Sequence, residues 1–486
     1  MSDQQRVSLC MIVRDEAHNL AACLKPLQGC VDEIIVVDTG STDATREIAR
    51  AYGAKVVDFP WVDDFAAARN ESMRHATGDY ILWVDADDRF DAENRDRLAV
   101  LLRSLDGARV TYMMEVKSIQ HGLRAEVSTA HARLFPRLPE LHWRYRIHEQ
   151  ILPCLQALKC EVSFTAIQIR HVGYEDPARL AIKAQRDLRL CKLDVDNLPN
   201  DPVALRNLGQ TYLRCGDLSN ALLYLLQSLN NVKRCGDWVK VLFCELASVL
   251  CSLGRNEEAC AIASQGLTNF PNDRDLLIDR AHIRLELGDI GGAERDFQSA
   301  LAAGPQDRLA FVRTHDQIRL EARCGLALAY VAQSRFREAE EIYQRVLAND
   351  SSCFDAWLEL AELYIRWGRL HQAEFAIQQV EKLPPGRPFA ELLRAEVLMA
   401  KGALPAAIDR IRAVLRSAPD LLGAWALLIK VTYHAQQYDD CRAACEELIK
   451  LVPHQAWAKS VLADIDRLQG ALANHARIGA VGVVYG

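Results

Sequence analysis

The feature that most constrains this chain is a period of 34 positions in its second half. Turn-type residues fall at Gly216, Gly254, Gly288, Ser334, Gly368, Gly402 and Gln436, and four of the six intervals between them are equal to that period. Five positions after each turn stands a small residue: Ala221, Ala259, Ala293, Ala339, Ala373, Ala407 and Cys441. Seven positions before stand Gly209, Ala247, Ala281, Ala327, Ala361 and Ala395, with Ile429 in the last unit. Five turns are followed, 17 positions on, by a proline: Pro271, Pro305, Pro385, Pro419 and Pro453. Small residues let two helices approach, glycine closes the turn between them, and proline stops the second helix. Such a chain must stack helix pairs, each burying its apolar face on the next.

This pattern resembles the tetratricopeptide repeat (TPR). It covers residues 201–468 in about seven repeats, and the longer intervals of 38 and 46 positions place small insertions after the first and third. Residues 469–486 lack the period and read as a tail.

The first half has a different grammar. Short apolar runs at Val7–Val13, Glu33–Asp38, Ala54–Phe59 and Asp79–Asp85 alternate with helical patterns at Ala44–Tyr52 and Phe65–Ala76. Alternation of that kind predicts βαβ units and a mostly parallel sheet covered on both faces. In open sheets, ligands bind at the carboxyl ends of the strands, which is where this half keeps its polar residues. We set the α/β domain at residues 1–178, a helical linker at 179–200 and the all-α superhelix after it.

Composition removes several classes. The net charge is -7 with both signs interspersed, against a nucleic-acid binder. No apolar run approaches the roughly 20 residues of a membrane span, and no signal peptide is visible, so a cytoplasmic location is expected. The 15 cysteines are scattered with no CxxC pair, which reads as buried thiols in a reducing compartment. Neither GxGxxG nor GxxxxGK[ST] occurs, against a dinucleotide-binding domain and a P-loop enzyme.

The run ILWVDADD sets Asp85, Asp87 and Asp88 just past a buried strand. Like charges at a strand end repel, and a divalent cation relieves them. Alone, the run is better read as an acidic helix cap with solvated neighbours. A second acid, Asp38, ends the second strand before Gly40, Ser41 and Asp43 in a strand-to-helix turn. There a carboxylate can accept hydrogen bonds from a base or ribose, or simply cap the turn.

In order, CMIVRDEAHNL, VDEIIVVDTGSTDAT, FPWVDDFAAARN and ATGDYILWVDADD resemble the GT-A domain of family-2 glycosyltransferases. The resemblance is strongest to the branch with TPR helices behind that domain, which includes peptide S-glycosyltransferases of glycosylated bacteriocins. It continues through HARLFPR, YRIHEQ and IRHVGYED. It implies a nucleotide-sugar donor, UDP-sugar favoured, a Mn²⁺ or Mg²⁺ cofactor, and inversion at the anomeric carbon. Asp38 would contact the nucleoside, lined by Arg14 and Glu16, with Arg69 and Asn70 facing the nucleotide. Asp85 and Asp87 would form the DxD pair, Asp87 binding the metal directly, Asp85 nearer the ribose and His171 completing the shell. This chain has Asp38-Thr39-Gly40-Ser41 where the broad family reads DDGS.

Inversion needs a general base at the acceptor. Glu149 is favoured, with His148 beside it and Asp88 in reserve, each against an ordinary structural role. Arg133, Arg137 and Arg144 read as solvated cations, with contact to diphosphate as the alternative. Trp61, Trp83 and Trp143 could stack on sugar or base, although Trp83 lies inside a strand.

The array is expected to recruit a peptide, protein or glycan acceptor, with homodimerisation as its competing use. Other functions are a TPR scaffold behind an inactive sugar-nucleotide domain, and a nucleotidyltransferase. Against the second, the first strand is followed by RDEAHN and not by a glycine- and lysine-rich loop.

Overall fold

The structure, a computed structural model, describes residues 5–119, 126–172, 177–304, 315–452 and 457–467. Eight strands form one sheet: β1 (Val7–Val13), β2 (Glu33–Asp38), β3 (Lys55–Asp58), β4 (Tyr80–Trp83), β5 (Asp88–Arg89), β6 (Val110–Ile119), β7 (Glu126–Pro136) and β8 (Glu161–His171). Their order is β3-β2-β1-β4-β7-β6-β8-β5, with β3, β2, β1 and β4 mutually parallel. The other half is mixed: β7 runs antiparallel to β4 and β6, β8 is parallel to β6, and β5 is antiparallel to β8. The four parallel strands are those legible from apolar runs; β6 to β8 were not read as strands from the sequence.

Helices α1 (Leu20–Leu24), α2 (Thr45–Ala51), α3 (Phe65–Arg74), α4 (Ala92–Arg103) and α5 (Leu152–Ala157) accompany the sheet. Side chains alternate across each strand, so the sheet has two apolar faces. Leu9, Met11, Val36, Leu82 and Val84 bury on one, while Cys10, Ile35, Ile81 and Trp83 bury on the other. Polar groups are thereby pushed to the strand ends, where β1, β2 and β4 all stop.

After α6 (Pro177–Asn197) come seven helix pairs. The first helices are α7 (Pro202–Arg214), α9 (Asp237–Ser252), α11 (Arg274–Glu286), α13 (His315–Ala332), α15 (Phe354–Arg366), α17 (Gly386–Ala400) and α19 (Leu422–His434). The second are α8 (Leu218–Asn231), α10 (Asn256–Asn269), α12 (Ile290–Ala302), α14 (Phe336–Asn349), α16 (Leu370–Lys382), α18 (Leu404–Ser417) and α20 (Tyr438–Leu451). All seven turn residues inferred from the period have φ between 58° and 78°, Ser334 and Gln436 included. Only glycine enters that left-handed region without steric cost. The small residues five positions later are fully buried. At Gly209 an added Cβ would lie 2.8 Å from the Leu225 side chain, so the first pair needs glycine there. Pro305, Pro453 and the tail lie outside the described residues.

The described residues divide into two compact units, the first ending at Leu246 and the second beginning at Ala247. Several charges in the second unit are held in tight pairs. Asp296 meets Arg280 at 2.7 Å and Arg284 at 2.8 Å, and Glu391 is gripped by Arg394 and Arg410. Glu359, Glu362 and Glu396 differ: among the described residues no Lys or Arg lies within ion-pair distance of them. Burial, then the neighbouring charges of Glu359 and Glu396, push Glu362 up to about 7. A carboxyl raised in the fold favours folding in its protonated form. Its contribution is complete below the unfolded value of 4.5 and lost as pH rises through about 7. Glu362→Gln should therefore gain stability relative to wild type by roughly 2 kcal/mol between about pH 5 and pH 8. Urea unfolding across that range checks it; a difference independent of pH would contradict the assignment.

Candidate active site

The site is built where β1, β2 and β4 end. Two turns there are laced together by side chains. Ser41 Oγ accepts the Asp15 N–H at 2.9 Å, and Asp15 Oδ1 accepts both the N–H (2.7 Å) and the hydroxyl (3.0 Å) of Thr42. Thr45 Oγ1 accepts the Glu16 N–H at 2.8 Å, and Asp43 Oδ2 accepts the Ala17 N–H at 3.0 Å. Short polar side chains in a turn naturally satisfy nearby backbone donors. Here they do so between two loops, fixing the rim around Arg14, Glu16, Gly40 and Ser41. Asp15 and Thr42 were not singled out from the sequence.

Asp38 is fully buried beneath this rim. Its carboxylate accepts the Gly40 N–H at 3.2 Å, the Ser41 N–H at 3.0 Å and Arg46 Nε at 2.7 Å. Burial alone would raise its pKa, but these hydrogen bonds outweigh it and hold the group below the ordinary aspartate value. Asp38 therefore shapes the turn. Arg14, by contrast, is exposed, with Asp15 3.9 Å away.

Beyond β4 the chain turns through Asp85, Asp87 and Asp88. Pairing of β5 with β8 sets Asp88 opposite His171, and the Val172 N–H reaches the Asp87 carbonyl at 3.1 Å. Backbone register thus brings a histidine that is distant in sequence beside the acids. His171 Nδ1 lies 3.1 Å from Asp88 Oδ1 and 3.3 Å from Asp87 Oδ1. One ligand atom from each of Asp85, Asp87, Asp88 and His171 falls within 4.8 Å of the others. Carboxylate oxygens with one imidazole suit a hard divalent cation such as Mg²⁺ or Mn²⁺.

The acids are not equivalent. Asp85 Oδ1 accepts Arg69 Nη2 at 3.0 Å, and its other oxygen is 3.8 Å from Arg133 Nη2. Those guanidinium groups overcome the effect of burial and hold Asp85 ionised, well below the usual range. Asp88 is fully enclosed and receives Arg133 Nη1 at 2.9 Å and the Asp85 N–H at 2.9 Å. Asp87 has no arginine partner among the described residues; burial raises it to about 6. Burial would lower His171, but the Asp88 hydrogen bond and the surrounding carboxylates raise it instead. Asp87 is thus the carboxylate of the cluster least committed to the protein's own arginines.

Arg133 corrects the sequence reading. It is 1% exposed, not a solvated cation, and its guanidinium lies 3.7 Å from the Trp83 ring centroid. Arg69 approaches the same ring at 4.3 Å. Trp83 is itself buried and gives its indole N–H to the Ala132 carbonyl at 2.6 Å. Trp143 is buried against it, edge to face at 5.2 Å, and Trp61 packs edge-on against Phe65. Arg137 donates to the Gly78 carbonyl at 2.6 Å, and Arg144 pairs with Asp201 at 3.2 Å. Asn70 closes a two-way hydrogen bond with the Trp143 backbone, at 2.7 and 3.1 Å.

Arg69 extends the site to the YRIHEQ loop, donating through Nε to Glu149 Oε1 at 2.6 Å. One guanidinium thereby joins Glu149 to Asp85. The loop is held from the other side by the first repeat. Asp194 of α6 accepts the Arg146 N–H at 2.9 Å, Tyr145 donates to Asp201 at 3.1 Å, and Arg214 of α7 donates to His148 Nε2 at 2.7 Å. Burial, then the Arg214 charge, lower His148 to about 4, so its imidazole is neutral near pH 7.

The family profile described as Glycosyl transferase family 2 matches residues 8–151, and tetratricopeptide repeat profiles match residues 204–237 and 324–388. A TPR repeat-containing protein of Synechococcus elongatus is 32% identical over 314 residues, spanning 62% of this chain and 76% of that protein. The chain belongs to the family 2 glycosyl transferases that carry tetratricopeptide repeats. The SPbeta prophage-derived glycosyltransferase SunS of Bacillus subtilis is 26% identical over 262 residues, covering 52% of this chain and 59% of SunS. An uncharacterized glycosyltransferase of Rickettsia felis is 33% identical over 100 residues, 21% of this chain and 35% of that protein. Among solved structures, a tetratricopeptide repeat protein from Parabacteroides merdae covers 54% of this chain and 98% of its own, with 18% identity and a TM-score of 0.42. Among the described residues, no helix of this family 2 transferase is long and apolar enough to cross a membrane.

Removing Arg69 would strand Asp85 and Glu149 as buried charges, which typically costs about 3–5 kcal/mol. Arg69→Met should lower unfolding stability by roughly that amount, and Arg69→Lys by less, because one ammonium cannot reproduce the fork. Denaturant unfolding measures both; a stable Arg69→Met protein would refute the bridging role.

Proposed function

We propose that this chain is a metal-dependent inverting glycosyltransferase, moving a sugar from a nucleotide-sugar, UDP-sugar favoured, to a peptide, protein or glycan acceptor brought by its repeats. The observation that carries the reading is the Arg69 guanidinium, shared by Asp85 and Glu149 beside the acid and histidine cluster. It puts a group suited to donor binding and a group suited to deprotonating an acceptor on opposite arms of one buried cation.

Asp85, Asp87 and His171 would hold Mn²⁺ or Mg²⁺, which when bound neutralises the charge that develops on the departing diphosphate. Asp38 serves the nucleoside pocket through the Gly40–Ser41 turn that it holds, with Arg14 and Glu16 on the facing loop. Asp43 and Asn70 act alike, the first by tying the two loops together and the second by fixing α3 against the Trp143 backbone. Arg69 keeps Asp85 ionised and oriented.

In the transfer step the anomeric carbon's bond to the diphosphate oxygen breaks as its bond to the acceptor nucleophile forms. Glu149 takes the nucleophile's proton. His148 is assigned to the seam with the first repeat, since Arg214 occupies its Nε2. Asp88 is assigned to supporting Asp85 and His171, since it is enclosed and paired with Arg133.

With Mn²⁺ and a panel of UDP-, GDP- and dTDP-sugars, the purified protein should slowly hydrolyse one donor. Asp87→Ala should abolish that hydrolysis and metal-dependent nucleotide binding; unchanged turnover would overturn the metal assignment. The first repeat's contacts with the YRIHEQ loop guide a second test. A chain ended after α10 retains Asp201 and Arg214, and should keep donor hydrolysis while losing acceptor transfer. Equal loss of both would assign the remaining repeats a structural role.

A further inference from the structure

Every residue of the YRIHEQ loop is tied down, and most of the ties come from outside the sheet. Arg144 and Gln150 exchange backbone hydrogen bonds at 3.1 and 3.0 Å, which closes a tight loop over residues 145–149. Within it Tyr145 has φ 74° and His148 φ 54°. Bulky side chains are strained in that left-handed region, and such strain persists only where the surroundings over-determine it. On the sheet side, the Phe65 N–H donates to the Arg146 carbonyl at 2.9 Å and Arg69 Nε to Glu149 at 2.6 Å. Helices α6 and α7 supply the rest. The Tyr145 hydroxyl reaches Asp201, the N-cap of α7, and Asp194 of α6 accepts the Arg146 N–H. Ile147 packs into an apolar cluster with Leu190, Cys191 and Leu208.

The remaining tie lies next to the carboxylate in sequence. Arg214, the last residue of α7, donates through Nη2 to His148 Nε2 at 2.7 Å. The same nitrogen is 3.1 Å from Thr211 Oγ1, one helical turn back, which braces the guanidinium. A guanidinium has donors and no acceptor, so Nε2 carries the lone pair and the neutral ring keeps its proton on Nδ1. Arg214 therefore selects one orientation and one tautomer of His148. The backbone angle held at His148 in turn sets the direction in which Glu149 leaves the loop.

We infer that Arg214 is a positioning residue for Glu149, acting through His148. The first repeat holds the strained turn that aims the carboxylate at the acceptor nucleophile. The inference rests on the reading of Glu149 as the general base, and it makes α7 a working part of the transfer site.

The test uses the full-length protein, Mn²⁺ and the nucleotide-sugar that it hydrolyses, with water as the nucleophile. Arg214→Met should lower kcat by about tenfold to a hundredfold, the scale of a misplaced reacting group, and leave the donor's KM within about twofold. Arg214→Lys retains a donor and should stay within about threefold of wild type. His148→Asn keeps a residue tolerant of the left-handed region but removes the Nε2 acceptor, and should match Arg214→Met. The double variant should be no slower than either single one, because both break the same link. Arg206→Met breaks a different pair of α7, with Glu245 at 2.6 Å, and should lower unfolding stability while keeping kcat within about twofold. Amide hydrogen exchange gives a readout that needs no turnover: Arg214→Met should speed exchange across residues 145–150 and spare β1, β2 and β4. Wild-type kcat in Arg214→Met, additive losses in the double variant, or unchanged exchange in the loop overturns the inference. If instead Glu149→Gln hydrolyses the donor as fast as wild type, the general-base reading fails, and the inference with it.

Discussion

Everything at the sheet's carboxyl edge depends on two buried guanidinium groups. Asp85, Asp87, Asp88 and Glu149 could not be gathered in a half-buried pocket by themselves, since each loses hydration and repels the others. Arg69 and Arg133 offset that cost, approaching Trp83 at 4.3 and 3.7 Å, the first pairing with Asp85 and Glu149 and the second with Asp88. The indole supplies an electron-rich surface for cations that carry little water. Asp87 is left with the least local compensation, and a raised pKa marks it as the place where an external positive charge gains most.

Much of this was legible in the sequence, for identifiable reasons. The repeats announce themselves because a left-handed turn and a close helix contact each demand a residue type, and both recur once per repeat. The acid cluster was legible because its carboxylates are contiguous. His171 was legible only through resemblance; its place beside Asp88 comes from β5–β8 pairing, a long-range fact with no local signature. Arg133 was misread because one arginine in HARLFPR carries no sign of burial. Strands β6 to β8 escaped notice because their pattern is less uniformly apolar than that of β1 or β2.

The polar residues of the VVDTGSTDAT run read differently once placed. Asp38, Asp43, Ser41 and Thr45 spend their hydrogen-bonding capacity on the backbone of two loops and on Arg46. Such lacing makes the rim rigid before any ligand arrives, which reduces the entropy lost on binding. The YRIHEQ loop is organised on the same principle, with Arg69 on one side and Asp194, Asp201 and Arg214 on the other. The first helix pair therefore contributes to the geometry around Glu149.

Two of the seven inter-helix turns are closed by residues with a Cβ, Ser334 at φ 59° and Gln436 at φ 58°. A side chain in that region carries strain on the order of 1 kcal/mol. Because each unit of such an array leans only on its neighbours, strain is not shared along it. The α13–α14 and α19–α20 pairs are thereby the joints at which the array opens first, so exchange of backbone hydrogens and nicking by proteases should begin there.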